Sequence, residues 1–460
     1  MKKILVSITL LALPFIFVAQ TITPEVLNKI QASYKASNPD KAVINTLLTT
    51  DFKSMTSNAS NTVKPDSYFK YRVKSAGITD QKSSGRCWLF ASLNVFRPVV
   101  IEKYNLSDFE FSQNYLFFFD QLEKANLFLQ GIIETADKPL EDRRVDWLLK
   151  NAIGDGGVWG GFVNLVDKYG LVPAEIMPET NSSNNTRYLA SILTTILRQD
   201  ALELRKAFAD KKSANDMQQL KIKMLSDVYK ILVYNLGEPP TTFTYRFIDK
   251  SKVAGEYKEY TPLSFREEVL SVNTADYIMF MDDPSREYYK LYEIEFDRNT
   301  QEGTNWKYIN IPAADMKPMA LASIQGGDAM YFSCDVGKQF DRTSSTLDVN
   351  NYDYESVYGI KLTMSKKERI QTFESGSTHG MTLVAVDTDN GDKPVKWLLE
   401  NSWGSTGFDG GHLIMTDKWF DEYMFRIVIN KKYVPAKILD ILKMKAIMLP
   451  PWDPMFLEDK

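Results

Sequence analysis

Between residues 67 and 180 the apolar positions recur every three or four residues, as in RCWLFASLNVFRPVVIEKY and QNYLFFFDQLEKANLFLQ, and this spacing predicts helices. The same period continues from 186 to 236 through TRYLASILTTILRQDALELRKAF and DMQQLKIKMLSDVYKILVYNL. It stops at GEPP, so this stretch is expected as a helical insertion. Beyond it the character changes to short runs bounded by Gly, Asp and Asn: TTFTYRFID, DAMYFSCDV, GMTLVAVDTD, VKWLLENSW and FRIVIN, which predict strands. Helices first and strands later imply an α+β protein of two packed lobes with a site in the cleft between them. The expected organisation is a leader over 1–20, a polar N-terminal arm over 21–66 and a helical lobe over 67–185. An insertion, mainly helical at first, follows over 186–310, then a β lobe over 311–435 and a C-terminal arm over 436–460.

The leader reads MKK followed by ILVSITLLALPFIFVA, a basic end and then an apolar run closing near Ala19 and Gln20. It predicts a signal peptide and an exported protein, periplasmic or secreted. Ser7, Thr9 and Pro14 interrupt the run, which falls short of the roughly 20 apolar residues of a spanning helix, so no stable membrane anchoring is expected after cleavage. The 460 residues, 44% of them hydrophobic, suffice for a large core. With 55 basic against 59 acidic residues the formal charge is −4, which lacks the basic footprint of a nucleic-acid binder.

Candidate chemistry is narrowed by scarcity. The chain holds 2 cysteines and 2 histidines, too few for a conventional zinc site, and neither HExxH nor CxxC occurs. GDGGVWGG (154–161) lacks the Lys-Ser/Thr of a phosphate loop, and no GxSxG elbow is present. No metal or organic cofactor is expected. A thiol nucleophile needs only a thiolate, a base, a group that orients the base, and oxyanion donors. Cys87 opens the apolar run WLFASLNVF and is expected at a helix N-terminus, where the dipole and unpaired N–H groups stabilise a thiolate. Gly85 lets the backbone turn into that helix. Arg86 is read either as added positive potential or as a solvated surface charge. Cys334 alternates with Met330, Phe332 and Val336 on an apolar strand face and is expected as a small buried hydrophobe rather than a disulfide partner of Cys87. His379 stands where SGST gives way to a strand, and Asn401 stands 22 residues later at the end of another. Adjacent strand ends bring the Asn401 oxygen to the imidazole, and Trp403 shields that bond from water. Gln81, six residues before Cys87, is a candidate oxyanion donor together with the Cys87 N–H. His412 is expected to be structural.

These residues resemble a family. DQKSSGRCWLFA, GDGG, THGM and LENSWG, in that order, are similar to papain-like cysteine peptidases. YGLVPAEIMPE, GEPP, SCDVGK and PPWDPM extend the resemblance to the bleomycin hydrolase and aminopeptidase C branch over nearly the whole mature chain. The resemblance implies a papain-like two-lobed fold, Cys87 as nucleophile, His379 as base and then acid, Asn401 as orienter and Gln81 as oxyanion donor. It implies peptide substrates bound along Gly156 and Gly157, a homohexameric cage, and a C-terminal tail whose carboxylate, here on Lys460, meets the substrate's α-ammonium. Gly156, Gly157, Trp403 and Lys460 are thus the residues expected on the substrate side. After WDPM this chain carries Phe456, Leu457, Glu458 and Asp459, bulkier or more acidic than the small residues usual there. The activity implied is removal of N-terminal residues from peptides; bleomycin hydrolysis follows from the resemblance alone. Endopeptidase or dipeptidyl action on the same fold, and a noncatalytic peptide-binding cage, are the competing readings.

Overall fold

The computed structural model describes residues 21–61, 66–74, 77–270 and 272–456. The leader and Lys460 lie outside the described residues. The chain divides into two units, residues 1–57 with 353–360, and the remainder. The smaller unit, in its described part, consists of the helices Pro24–Ser33, Asn38–Thr49, Phe52–Thr56 and Tyr354–Tyr358. Thr23 caps the first, and a reciprocal Ser37–Asp40 box caps the second, so their orphan N–H groups are satisfied locally. Phe52 stacks on Tyr354 and Tyr358, which explains why 353–360, inside the span expected as the β lobe, groups with the arm.

In the larger unit the helical patterns form Cys87–Lys103, Gln113–Glu134, Arg143–Lys150 and Trp159–Tyr169. The insertion forms two 23-residue helices, Arg187–Ala209 and Ala214–Leu236. Leu189, Leu193, Leu197 and Leu204 on one, and Met224, Val228, Leu232 and Leu236 on the other, keep the apolar stripe that the period demanded, and all are buried. Each is worth about 1.5–3 kcal/mol relative to an exposed side chain. Gly237, at φ 88°, stops the second helix.

A 12-stranded sheet organises the rest. Its order runs 447–449, 290–294, 307–310, 277–281, 424–430, 330–334, 379–388, 394–400, 412–416, 346–347, 340–341, with Tyr71–Arg72 added on 379–388. Three of these strands come from 277–310, the later part of the span read as an insertion. TTFTYRFID does not join this sheet: Phe243–Tyr245 pairs with Lys258–Tyr260 in a small sheet of its own. Two cores result, one among the helices around Trp88, Phe96 and Phe117. The other lies on the sheet beneath the Ala313–Gln325 helix and includes Cys334. Both cysteines are buried and neither is in a disulfide, so the Cys87–Cys334 bridge does not form.

Candidate active site

Cys87 is the first residue of its helix, preceded by Arg86, which supplies no side-chain cap. The positive end of the helix dipole thus lies at the thiol, where it favours the thiolate. The entry turn is held by Asp155: its carboxylate accepts the Gly85 N–H at 2.6 Å and the Thr186 hydroxyl, and its carbonyl accepts the Trp88 indole N–H at 2.9 Å. A side chain at Gly85 would overlap the Asp155 carboxylate. Arg86 departs from both readings offered for it. Its guanidinium is fully buried, forks onto Glu179 at 3.0 and 2.7 Å and lies over Phe90 and Phe117. Its charge is neutralised by Glu179, not presented to solvent.

His379 begins the 379–388 strand and Asn401 directly follows the 394–400 strand. These strands pair antiparallel with Thr382 opposite Glu400, which brings the two ends together as the sequence suggested. Asn401 Oδ1 lies 2.8 Å from His379 Nε2 and also accepts the Ser402 backbone N–H at 2.8 Å. A backbone N–H only donates, so the amide orientation is fixed; Nε2 must then carry the proton, and Nδ1 is the basic nitrogen. Burial drives the imidazole pKa down to about 4, with the Asn401 bond opposing it. A proton taken up by this ring therefore needs a compensating negative charge, which a neighbouring thiolate supplies. Trp403 stacks on the imidazole with centroids 4.7 Å apart, over the ring that Asn401 bonds. The next residue, Gly380, donates its N–H to Cys87 Sγ at 3.4 Å, so the strand that carries the base begins against the thiol.

Gln81 is 6% exposed and locked into the same assembly. Its backbone N–H reaches the Ser402 carbonyl at 2.8 Å, the Ser402 hydroxyl donates to its Oε1 at 2.6 Å, and its Nε2 donates to the Ser84 carbonyl at 2.6 Å. Ser84 uses one of the two carboxamide hydrogens, leaving one for an oxyanion.

The glycine pair is not symmetric. Gly156 is buried, and its carbonyl accepts Lys124 Nζ at 2.5 Å. Gly157 is exposed, and a Cβ there would sit 2.6 Å from the Trp88 ring. Of the two, Gly157 presents its backbone outward. Both border a cavity of about 300 Å³ that Trp88, Ser377 and Arg426 also line. Arg426 donates to the Met455 carbonyl at 2.6 Å, and Arg286 pairs with Asp453, so the tail is pinned beside this cavity as far as it is described. His412 is buried opposite Glu400 in the 394–400/412–416 ladder and bonds the Asp409 carbonyl through Nδ1 at 2.7 Å. Among the described residues no cluster of three or more His, Cys, Asp or Glu forms a metal site, and no helix is long and apolar enough to cross a membrane.

Sequence reasoning missed Gly380, Ser402 and Asp155. Their signals were present: Gly380 and Ser402 adjoin the candidate His and Asn, and Asp155 precedes the glycine pair.

A buried thiol at a helix N-terminus, a neutral imidazole oriented by an amide, and a carboxamide donor in the same assembly define a cysteine peptidase. The chain belongs to the Peptidase C1-like family, which its sequence matches over residues 21–456. Mouse bleomycin hydrolase is 40% identical over 398 residues, covering 84% of this chain and 88% of that protein. Aminopeptidase C of Listeria monocytogenes is 37% identical over 421 residues, covering 91% and 95%. The crystal structure of PepW from Lactobacillus rhamnosis HN001 superposes with a TM-score of 0.91 at 36% identity, covering 95% of this chain and 99% of that one. The papain-like α+β fold expected from the sequence is thereby established.

Proposed function

We propose that this chain is a cysteine aminopeptidase in which Cys87 is the nucleophile, His379 the acid–base group, Asn401 its orienter and Gln81 an oxyanion donor. The Cys87 thiol passes its proton to His379 Nδ1, the resulting thiolate adds to the scissile carbonyl, and the oxyanion takes hydrogen bonds from the Cys87 N–H and Gln81 Nε2. His379 gives its Nδ1 proton to the leaving amine as the C–N bond breaks. It then takes a proton from water as hydroxide adds to the thioester, and the thiolate leaves with the acid released. The observation that carries the reading is the 3.4 Å contact of Gly380 N–H with Cys87 Sγ, one residue along the strand from the Asn401-bonded His379, which supports the pairing of this imidazole with the thiol.

The names of the relatives, aminopeptidase C and bleomycin hydrolase, support removal of N-terminal residues, and the pinning of the tail at Asp453 and Met455 beside the cavity supports a tail that limits how far substrate extends on the N-terminal side of the scissile bond. The leader supports export, and the likeness to bleomycin hydrolase and aminopeptidase C supports self-association, read here as a homohexamer. The test is hydrolysis of aminoacyl-coumarins with free and acetyl-blocked N-termini, with bleomycin added to the panel and Cys87→Ala as control. Cleavage of free forms alone supports the aminopeptidase; cleavage of blocked forms overturns it. N-terminal sequencing of the exported protein and its mass by light scattering test the leader and the hexamer.

A further inference from the structure

SCDVGK has no part in the chemistry above, yet its first three residues all meet the segment that delivers the base. In the 330–334 strand, Ser333 and the following Asp335 lie on the face opposite Cys334, as a two-residue period requires. Asp335 is 5% exposed; its carboxylate accepts the Ser375 hydroxyl at 2.7 Å and the Gly376 backbone N–H. The Ser333 hydroxyl bonds that of Ser377, which is also buried. The Thr378 N–H reaches the Cys334 carbonyl at 2.9 Å, and Cys334 is the ladder partner of His379. Residues 375 to 378, which would otherwise be a glycine- and serine-rich loop, are therefore stapled at every position to three consecutive residues, the last two of the 330–334 strand and Asp335 after it. Burial pushes the Asp335 carboxyl above its ordinary range, with the Ser375 bond opposing it. The nearest cation, Lys338, pairs with Glu374 at 2.6 Å. A buried carboxylate bonded to a serine hydroxyl and a backbone amide is costly to keep, and here it holds the approach to His379.

We propose that Ser333 and Asp335 are positioning residues for His379, fixing the 375–378 segment so that the imidazole meets the Cys87 thiol in a single orientation. This rests on the reading of His379 as the base. Displacement of a base by a fraction of an ångström lowers the rate and thiol activation together, without changing the groups that bind substrate.

The test compares Ser375→Ala, Asp335→Asn and the conservative Ser375→Thr, measuring kcat, KM and the melting temperature. It also measures the rate at which Cys87 is alkylated by iodoacetamide, read by mass spectrometry of the Cys87 peptide. The proposal expects kcat and the alkylation rate to fall together by about tenfold or more in Ser375→Ala and Asp335→Asn, with KM within about twofold and Ser375→Thr near wild type. Unchanged kcat and alkylation in both variants overturn it. So does a loss that tracks only a reduced folded fraction while the folded molecules alkylate at the wild-type rate. Absence of Cys87-dependent hydrolysis in the wild type would instead strike the peptidase reading, and the alkylation rates would still decide the positioning.

Discussion

His379 Nε2 donates to Asn401 Oδ1 at 2.8 Å, and the same oxygen holds the Ser402 N–H, so one amide fixes both the tautomer of the base and the entrance to the Gln81 loop. Asn401→Ala removes the acceptor and frees the ring. A net hydrogen bond of about 1–1.5 kcal/mol corresponds to roughly a tenfold loss. Steady-state kinetics should show that loss in kcat with KM nearly unchanged, whereas an equal rise in KM would place Asn401 in substrate binding.

The imidazole's folded pKa of about 4 lies below the ordinary 6.5, so between those values the unfolded chain binds the extra proton. The contribution to stability is complete above about pH 6.5 and is lost as pH falls towards 4. In a Cys87→Ala background, which has no thiolate to offset the cation, urea unfolding should lose on the order of 3 kcal/mol more between pH 7 and 4 than the Cys87→Ala/His379→Gln double variant. Parallel curves for the two proteins would contradict the burial argument.

Asp200 has the opposite sign. It is buried on the insertion helix near Glu203 and Asp227, one carboxylate oxygen lacks a partner, and its pKa is raised to about 6, first by burial. The folded state holds its proton between 3.8 and about 6, so stability falls as pH rises through that window. Thermal melts of Asp200→Asn should show a gain on the order of 1 kcal/mol at pH 7.5 that shrinks near pH 5.

Gly380 lets the base-bearing strand approach the nucleophile's helix: a Cβ there would lie 3.1 Å from the Tyr331 hydroxyl and 3.3 Å from the Trp88 Cα. Gly380→Ala should cost about 1–3 kcal/mol by overpacking and slow Cys87 alkylation. Denaturant titration and labelling on one preparation check both effects.

Much of this site could be read before the fold. Cys87 at a helix start, and His379 and Asn401 at neighbouring strand ends, follow from period changes and breaker residues, which are local signals. What was not legible depended on long-range partners. Arg86 is a charged residue in a glycine-serine loop, and nothing within ten residues announces that Glu179 will bury it. Gly156 and Gly157 are identical in sequence, and only Lys124, arriving on another helix, turns the first inward. The strands within 277–310 fall in the span expected as an insertion, mainly helical at first. Pairing between 277–281 and 424–430 decides their place in the sheet, and that pairing has no local signature.

Treating the native protein with an equimolar epoxide directed at thiols, and mapping the adduct while following hydrolysis, asks whether Cys87 is the activated nucleophile. One adduct is expected on Cys87 and none on Cys334, with loss of aminoacyl-coumarin hydrolysis in proportion to labelling. Full labelling of Cys87 with hydrolysis intact, or modification of Cys334 in its place, would rule out Cys87 as the nucleophile.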